Sequence, residues 1–349
     1  MSQSPPRLPP DEATFLEQPS LSASIYCDGR VDEVIQTVML PFRQWAQTHH
    51  PRTRLWLMRY LRGGEHLKVR LHGPPHSLAE ARRELAARVA ETFASWSPPV
   101  PDERRRQNNQ APPLDPEDED GVLKPDLTLH WTRYQHRPEQ QGPLPLAATP
   151  GFASGYVACM VAATRTLFDH VARPSGTASR GTLLIRLIAE ALTGLEWSPQ
   201  EERAALLFHR DWLVSGTPHP AQVQEALAQR CQADEATLRR LEAFNTDRHA
   251  NRAAPRELPL FAWAVAAHLD MARCTALASR RGPPVLSGDR ELFATLARVQ
   301  HNAANVLGLS LGNELHVIQL FAESLASVND STTRTRSAPP SAPTTETPI

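Results

Sequence analysis

Four cysteines, Cys27, Cys159, Cys231 and Cys274, are few and scattered in a chain of 349 residues. No C-x-x-C pair occurs, which excludes a disulfide framework and a thiolate zinc site and fits a reducing, cytoplasmic setting. Neither sign of charge prevails. Thirty-seven Lys and Arg against thirty-eight Asp and Glu leave a formal charge of −1, so no global field draws the chain to nucleic acid or to an anionic membrane, and any anion site must be local. No apolar run approaches the roughly 18 residues that span a bilayer, and the N-terminus, MSQSPPRLPPDEATF, has neither the basic nor the apolar region of an export signal. Phosphate-cradling G-x-x-x-x-G-K-[ST] and G-x-G-x-x-G loops and a G-x-S-x-G nucleophile elbow are also missing.

What is present is an ordinary globular composition, 41% hydrophobic and 21% charged, from which a packed fold is expected. Residues 1–20 are proline-rich and polar, and residues 327–349 have a similarly solvated composition, so both are expected to be disordered tails. Between them lies a domain expected over 21–326. Its first part mixes strand patterns (Ala23 to Tyr26, Leu55 to His72, Leu127 to Tyr134) with two helical stretches, VDEVIQTVMLPFRQWAQTH and SLAEARRELAARVAETFASW. A long loop is expected at about 98–125, where prolines, Arg104-Arg105-Arg106 and an acidic block follow one another. After about residue 150 the periodicity is helical, and Ser198-Pro199 with Glu201-Glu202 forms a well-marked helix start. Strands early and helices late predict an α+β fold, with a mostly antiparallel sheet in the first half packed against a helical second half.

Chemistry concentrates between Leu55 and Gly73, LWLMRYLRGGEHLKVRLHG. Alternation about Gly63-Gly64 predicts a hairpin whose even-length turn sets Arg59 opposite Lys68, with His66, Lys68, Arg70 and His72 on that same side and Leu67, Val69 and Leu71 toward the core. Like charges so placed are relieved by water, by acidic side chains or by an anionic ligand, and a solvated strand face is the plain alternative. A metal is not expected: His66, His72 and His76 match no established ligand spacing and neighbouring cations oppose a divalent ion. His268, among Ala and Leu, reads as a packed histidine. His301 and Asn305 lie four residues apart on a helix, hence on one face, and Glu314 and His316 follow in the next element.

Arg59-Tyr60 through His66-Leu67-Lys68-Val69-Arg70-Leu71-His72-Gly73, followed far downstream by His301-Asn302-Ala303-Ala304-Asn305-Val306-Leu307-Gly308, resembles two segments of the lantibiotic dehydratase C-terminal domain. That domain is also called the thiopeptide-type bacteriocin biosynthesis domain; the order of the segments is the same, and the E-E-R helix before Trp212 is similar too. The family's Y-x-x-E-x-x-RYGG stretch is matched only at Tyr134 and Glu139, with no RYGG, while Lys68 and Val306 stand where the family has arginines. Lysine keeps the charge but not the planar fork of arginine.

The resemblance implies maturation of a ribosomally made peptide by a lyase that eliminates glutamate from glutamylated Ser or Thr to leave dehydroamino acids, without a cofactor. It implies that Arg70 and Lys68 hold the glutamyl group or stabilise the enolate, that His301 transfers protons, and that Arg59, His66, Tyr134, Arg137 and Asn305 bind substrate. The implied partners are a precursor peptide with its leader and a separate glutamyl-tRNA-dependent glutamylating subunit, since the chain is too short to hold that domain; a homodimer is possible, and no direct nucleic-acid or membrane contact is implied. Two alternatives stay open. One is the pyridine-forming formal [4+2] cyclisation of the same fold group, and the other is a non-catalytic scaffold that adds a leader peptide to an exposed sheet edge.

Overall fold

The computed structural model describes residues 19–60, 65–97, 127–132, 150–173, 179–195, 197–251, 259–279 and 287–336, with side chains described over most of them. The loop expected at about 98–125, the hairpin turn at Gly63-Gly64, Tyr134 and Arg137 lie outside these residues.

Strands β1 (Ser20–Tyr26), β2 (Arg54–Tyr60), β3 (His66–His72) and β4 (Thr128–Thr132) form one antiparallel sheet in the order β2-β3-β1-β4. Between β1 and β2 runs a continuous rod: α1 (Val31–Val34), a π-helical stretch (Ile35–Met39) and α2 (Leu40–His49). Pro41 accounts for the widened turn, because it has no N–H to give to the carbonyl of Thr37 four residues back. Helix α3 (Pro75–Ala94) follows β3 and packs on β1 and on the π-helical stretch. Its Arg82 guanidinium lies 5.1 Å above the ring of Trp131 in β4.

The helices α4 (Pro150–Val171), α5 (Arg180–Thr193), α6 (Pro199–Ser215), α7 (Pro220–Ala233), α8 (Glu235–Ala250), α9 (Leu260–Ser279), α10 (Ser287–Leu307) and α11 (Leu311–Arg336) complete the chain. The α+β expectation holds. Contacts group the chain into two compact units, one of residues 1–195 and 257–314, the other of 196–256 and 315–349. In the first, α4 packs on α9, α10 and β2. Gly155 allows the α4–α9 approach, since a Cβ there would stand 3.0 Å from the Cα of His268, which is buried as expected. The second unit contains α6, α7, α8 and most of α11, and α11 extends past the expected boundary at 326 to Arg336.

In α6 the helix start is as read: the Ser198 hydroxyl accepts from the Glu201 N–H at 3.3 Å, and the Ser198 N–H donates back to the Glu201 carboxylate at 2.7 Å. No helix among the described residues is long and apolar enough to cross a membrane.

Candidate functional site

The register of the hairpin corrects one expectation. Residues 61–65 separate the strands, so Met58 lies opposite Lys68 and Arg59 opposite Leu67. One residue of slip sends a side chain to the other face, and Arg59 therefore does not share a face with Lys68. His66, Lys68, Arg70 and His72 do share theirs, as alternation requires.

Four rungs cross that face: Arg54, His72 and Ser20; Trp56, Arg70, Ser22 and Thr132; Met58, Lys68, Ser24 and His130; and Tyr60, His66, Tyr26 and Thr128. Much of the face is covered: His66, His72, Ser22, Ser24, Trp56 and Tyr26 are each at most 2% exposed and Lys68 is 4% exposed, while Arg70, Tyr60 and His130 are half-buried. Aromatic rings line the cations. The Arg70 guanidinium lies 4.5 Å from the Trp56 ring centre and the Lys68 ammonium 4.6 Å from that of Tyr60, placements in which a ring's negative face stabilises positive charge. His66 is held between Tyr26 and Tyr60, with ring centres 4.6 and 5.5 Å away. Leu67, Val69 and Leu71 on the opposite face are fully buried, so both sides of β3 are covered.

Arg59 joins a different cluster. It and Arg180, the first residue of α5, both bond one carboxylate oxygen of Asp32 in the first turn of α1, and Arg180 also reaches the carbonyl of Gly308. Burial raises the Asp32 carboxyl, but the two guanidiniums outweigh it and hold the group below its ordinary value. Gly308 has φ +76°, and a Cβ there would sit 2.5 Å from the Arg59 Cζ. The left-handed backbone favours glycine there, and the Arg59 guanidinium rests against it. The early and late sequence segments thus meet at Arg59 and Gly308.

A second connection runs through α4. Asn302 donates to the Tyr156 hydroxyl at 2.8 Å, the Tyr156 ring meets Trp56 edge-on at 6.3 Å, and Trp56 underlies Arg70. The helix that carries His301 is in this way tied to the basic face by Tyr156 and Trp56, residues that alternation and helix periodicity do not single out. Edge strand β2 is occupied as well, since the Leu57 N–H donates to the Thr164 hydroxyl of α4 at 3.1 Å. That contact removes one backbone donor from the edge on which a leader peptide could pair.

His301 and Asn305 meet as their spacing predicts, with Asn305 Nδ2 3.2 Å from His301 Nε2. On the other side of the ring, Nδ1 lies 3.1 and 3.0 Å from the two carboxylate oxygens of Glu314, which is 1% exposed. One tautomer satisfies both contacts: Nδ1–H donates to Glu314 and Nε2 accepts from Asn305. A buried carboxylate behind an imidazole orients the ring. Sequence reading placed Glu314 in the next element without assigning it a role, because the stretch after Gly308 has no local signature of this pairing. Val306 is 1% exposed and packs as an apolar residue where the family has arginine.

In the second unit Cys231, His316 and Asp234 are aligned, with Sγ to Nδ1 3.9 Å and Nε2 to Oδ2 3.2 Å. Burial and the nearby Glu323 and Asp234 carboxylates push the Cys231 thiol up to about 11, which keeps it protonated and unsuited to nucleophilic work. Among the described residues no three His, Cys, Asp or Glu side chains could hold a metal ion.

No protein-family model and no curated protein matches the chain. Solved structures do. The pyridine synthase TbtD from thiomuracin biosynthesis superimposes with TM-score 0.63 at 18% identity, covering 90% of this chain and 100% of that one. TsrL gives 0.55 at 15%, covering 93% and 99%. The tRNA-dependent lantibiotic dehydratase MibB from Microbispora sp. 107891 gives 0.50 at 20%, covering 91% of this chain, which spans 28% of MibB's length. The chain therefore has the fold of lantibiotic and thiopeptide biosynthesis proteins, as the two sequence segments implied.

Proposed function

We propose that the protein matures a ribosomally made precursor peptide, acting as a lyase that removes glutamate from glutamylated Ser or Thr to leave a dehydroamino acid. The observation that carries this reading is the face of β3 where a buried Lys68 and a half-buried Arg70 present positive charge among aromatic rings. Burial strengthens such charge interactions. Elimination needs a base for the Cα proton, positive charge or hydrogen bonds for the enolate oxygen, and a seat for a departing carboxylate. In this reading His301, aligned by Glu314 and Asn305, moves the proton; Arg70 and Lys68 take the negative charge; and His66 shapes the pocket. Tyr134 and Arg137 are proposed for the same pocket on the resemblance alone. In this reading the glutamylated peptide is supplied by a tRNA-dependent activity, since the tRNA-dependent dehydratase MibB contains this fold.

A specific observation favours a second reading. Arg59 is committed to Asp32 and lies off the basic face, so a three-cation glutamate seat is reduced to two cations among aromatic rings and hydroxyls. A pyridine-forming cyclase needs hydrogen bonds to an amide tautomer more than a glutamate seat, and the superposition on TbtD covers all of that enzyme.

Mass spectrometry separates the two. The purified protein is incubated with a peptide bearing glutamylated Ser and with a bis-dehydroalanine peptide. Loss of the glutamyl group from the first is the expected result; ring closure of the second without that loss replaces elimination with cyclisation. Binding of either peptide with no chemical change contradicts both and leaves a scaffold.

A further inference from the structure

Ser24 occupies the middle of β1, with Lys68 as its partner on β3 and His130 on β4. It is 1% exposed, and its hydroxyl oxygen is buried with no hydrogen-bond partner among the described residues. A buried hydroxyl without a partner is unfavourable, and alanine, which stands next to it at Ala23, would avoid the cost. The position is not an accident of a polar strand end. Ser22 and Ser24 sit on consecutive rungs against Arg70 and Lys68, so two hydroxyls run alongside two cations on one covered face.

We infer that Ser24 is a substrate-binding residue whose hydroxyl, together with the Lys68 ammonium beside it, holds an anionic oxygen of the peptide substrate. Directly opposed residues in an antiparallel pair point to the same side with Cβ atoms about 5 Å apart, close enough for both groups to reach one oxygen. An anion suits the pair. A hydroxyl donates one hydrogen bond and an ammonium three, and hydrogen bonds to charged acceptors are the strong ones. Two sources carry such an oxygen: the glutamyl carboxylate and the enolate formed at Cα. The substrate's identity rests on the maturation reading; the binding role of Ser24 does not.

The test compares wild type with Ser24→Ala on the glutamylated-Ser peptide, following kcat, KM, inhibition by free glutamate and thermal midpoint. Loss of one hydrogen bond to a charged group predicts a fall in kcat/KM of about 10- to 100-fold, while the midpoint stays the same or rises because an unpartnered polar atom has gone. A raised KM with weaker glutamate inhibition assigns the hydroxyl to the carboxylate; a lowered kcat with unchanged glutamate inhibition assigns it to the enolate. Wild-type constants throughout, or a rate loss matched by a lower midpoint, overturn the inference while the maturation reading stands. A wild-type protein inactive on this peptide and on the bis-dehydroalanine peptide overturns the maturation reading instead. Calorimetry with free glutamate then decides for Ser24: weaker binding by the variant keeps the role, and equal or undetectable binding removes it.

Discussion

Two of the carboxylate–histidine pairs among the described residues, Glu202–His249 and Glu314–His301, sit in surroundings that suit them to different work. In the second unit Glu202, fully buried on α6, receives both prongs of Arg248 from α8, while His249 adds a contact at 3.0 Å. Arg248 Nε reaches Asn245, whose amide donates to Ser324 of α11 at 2.8 Å, so the cluster ties three helices together. Burial would raise the Glu202 carboxyl, but His249 and Arg248 together hold it below its ordinary value of 4.5. In the first unit Glu314 backs His301, whose side chain is 27% exposed and whose second nitrogen meets an uncharged amide. A carboxylate matched by a guanidinium belongs to the packing; one matched by an accessible imidazole can take part in proton transfer.

Substitutions can break this contrast. Arg248→Ala strands a buried carboxylate and is expected to destabilise the protein by about 3–5 kcal/mol, read from the urea midpoint; a change below about 1 kcal/mol would deny the cluster its structural role. His301→Ala is expected to lower turnover of the glutamylated peptide by roughly 10²-fold or more, with the urea midpoint near wild type. Glu314→Gln should lower turnover by about 10- to 100-fold, the range for a partner that orients a functional histidine. Its pH–rate profile should change shape relative to wild type, which a purely structural role of Glu314 would not produce. Acidification sharpens the contrast with the smallest effect. The Glu202 carboxyl is depressed in the folded protein, so its contribution is present above about pH 4.5 and is lost as pH falls below that value. Urea midpoints measured from pH 7 to pH 3 should fall on this limb in wild type and fall less in Glu202→Gln.

Local periodicity made much of this legible. Period-two alternation placed His66, Lys68, Arg70 and His72 on one face, and helical spacing joined His301 to Asn305, because both are properties of a single element. The α+β division followed from the same patterns. Arg59 was misplaced because its facing depends on how many residues close the hairpin, and Gly63-Gly64 suggests a shorter turn than the 61–65 stretch that separates the strands. Glu314, Tyr156 and the strand order β2-β3-β1-β4 come from tertiary packing, which no short window of sequence records. The burial of the basic face belongs there too: alternation sorts residues by side without saying what covers each side.

The central claim is that the β3 cations and His301 serve one reaction on one peptide. A double-substitution cycle on the glutamylated-Ser peptide tests it most directly, with Arg70→Ala, His301→Ala and the pair. Groups that act in the same step are strongly non-additive, so each single variant should lose at least about tenfold in kcat/KM and the pair should lose little more than the worse single variant. Wild-type rates for either single variant, with active wild-type protein, would contradict the claim.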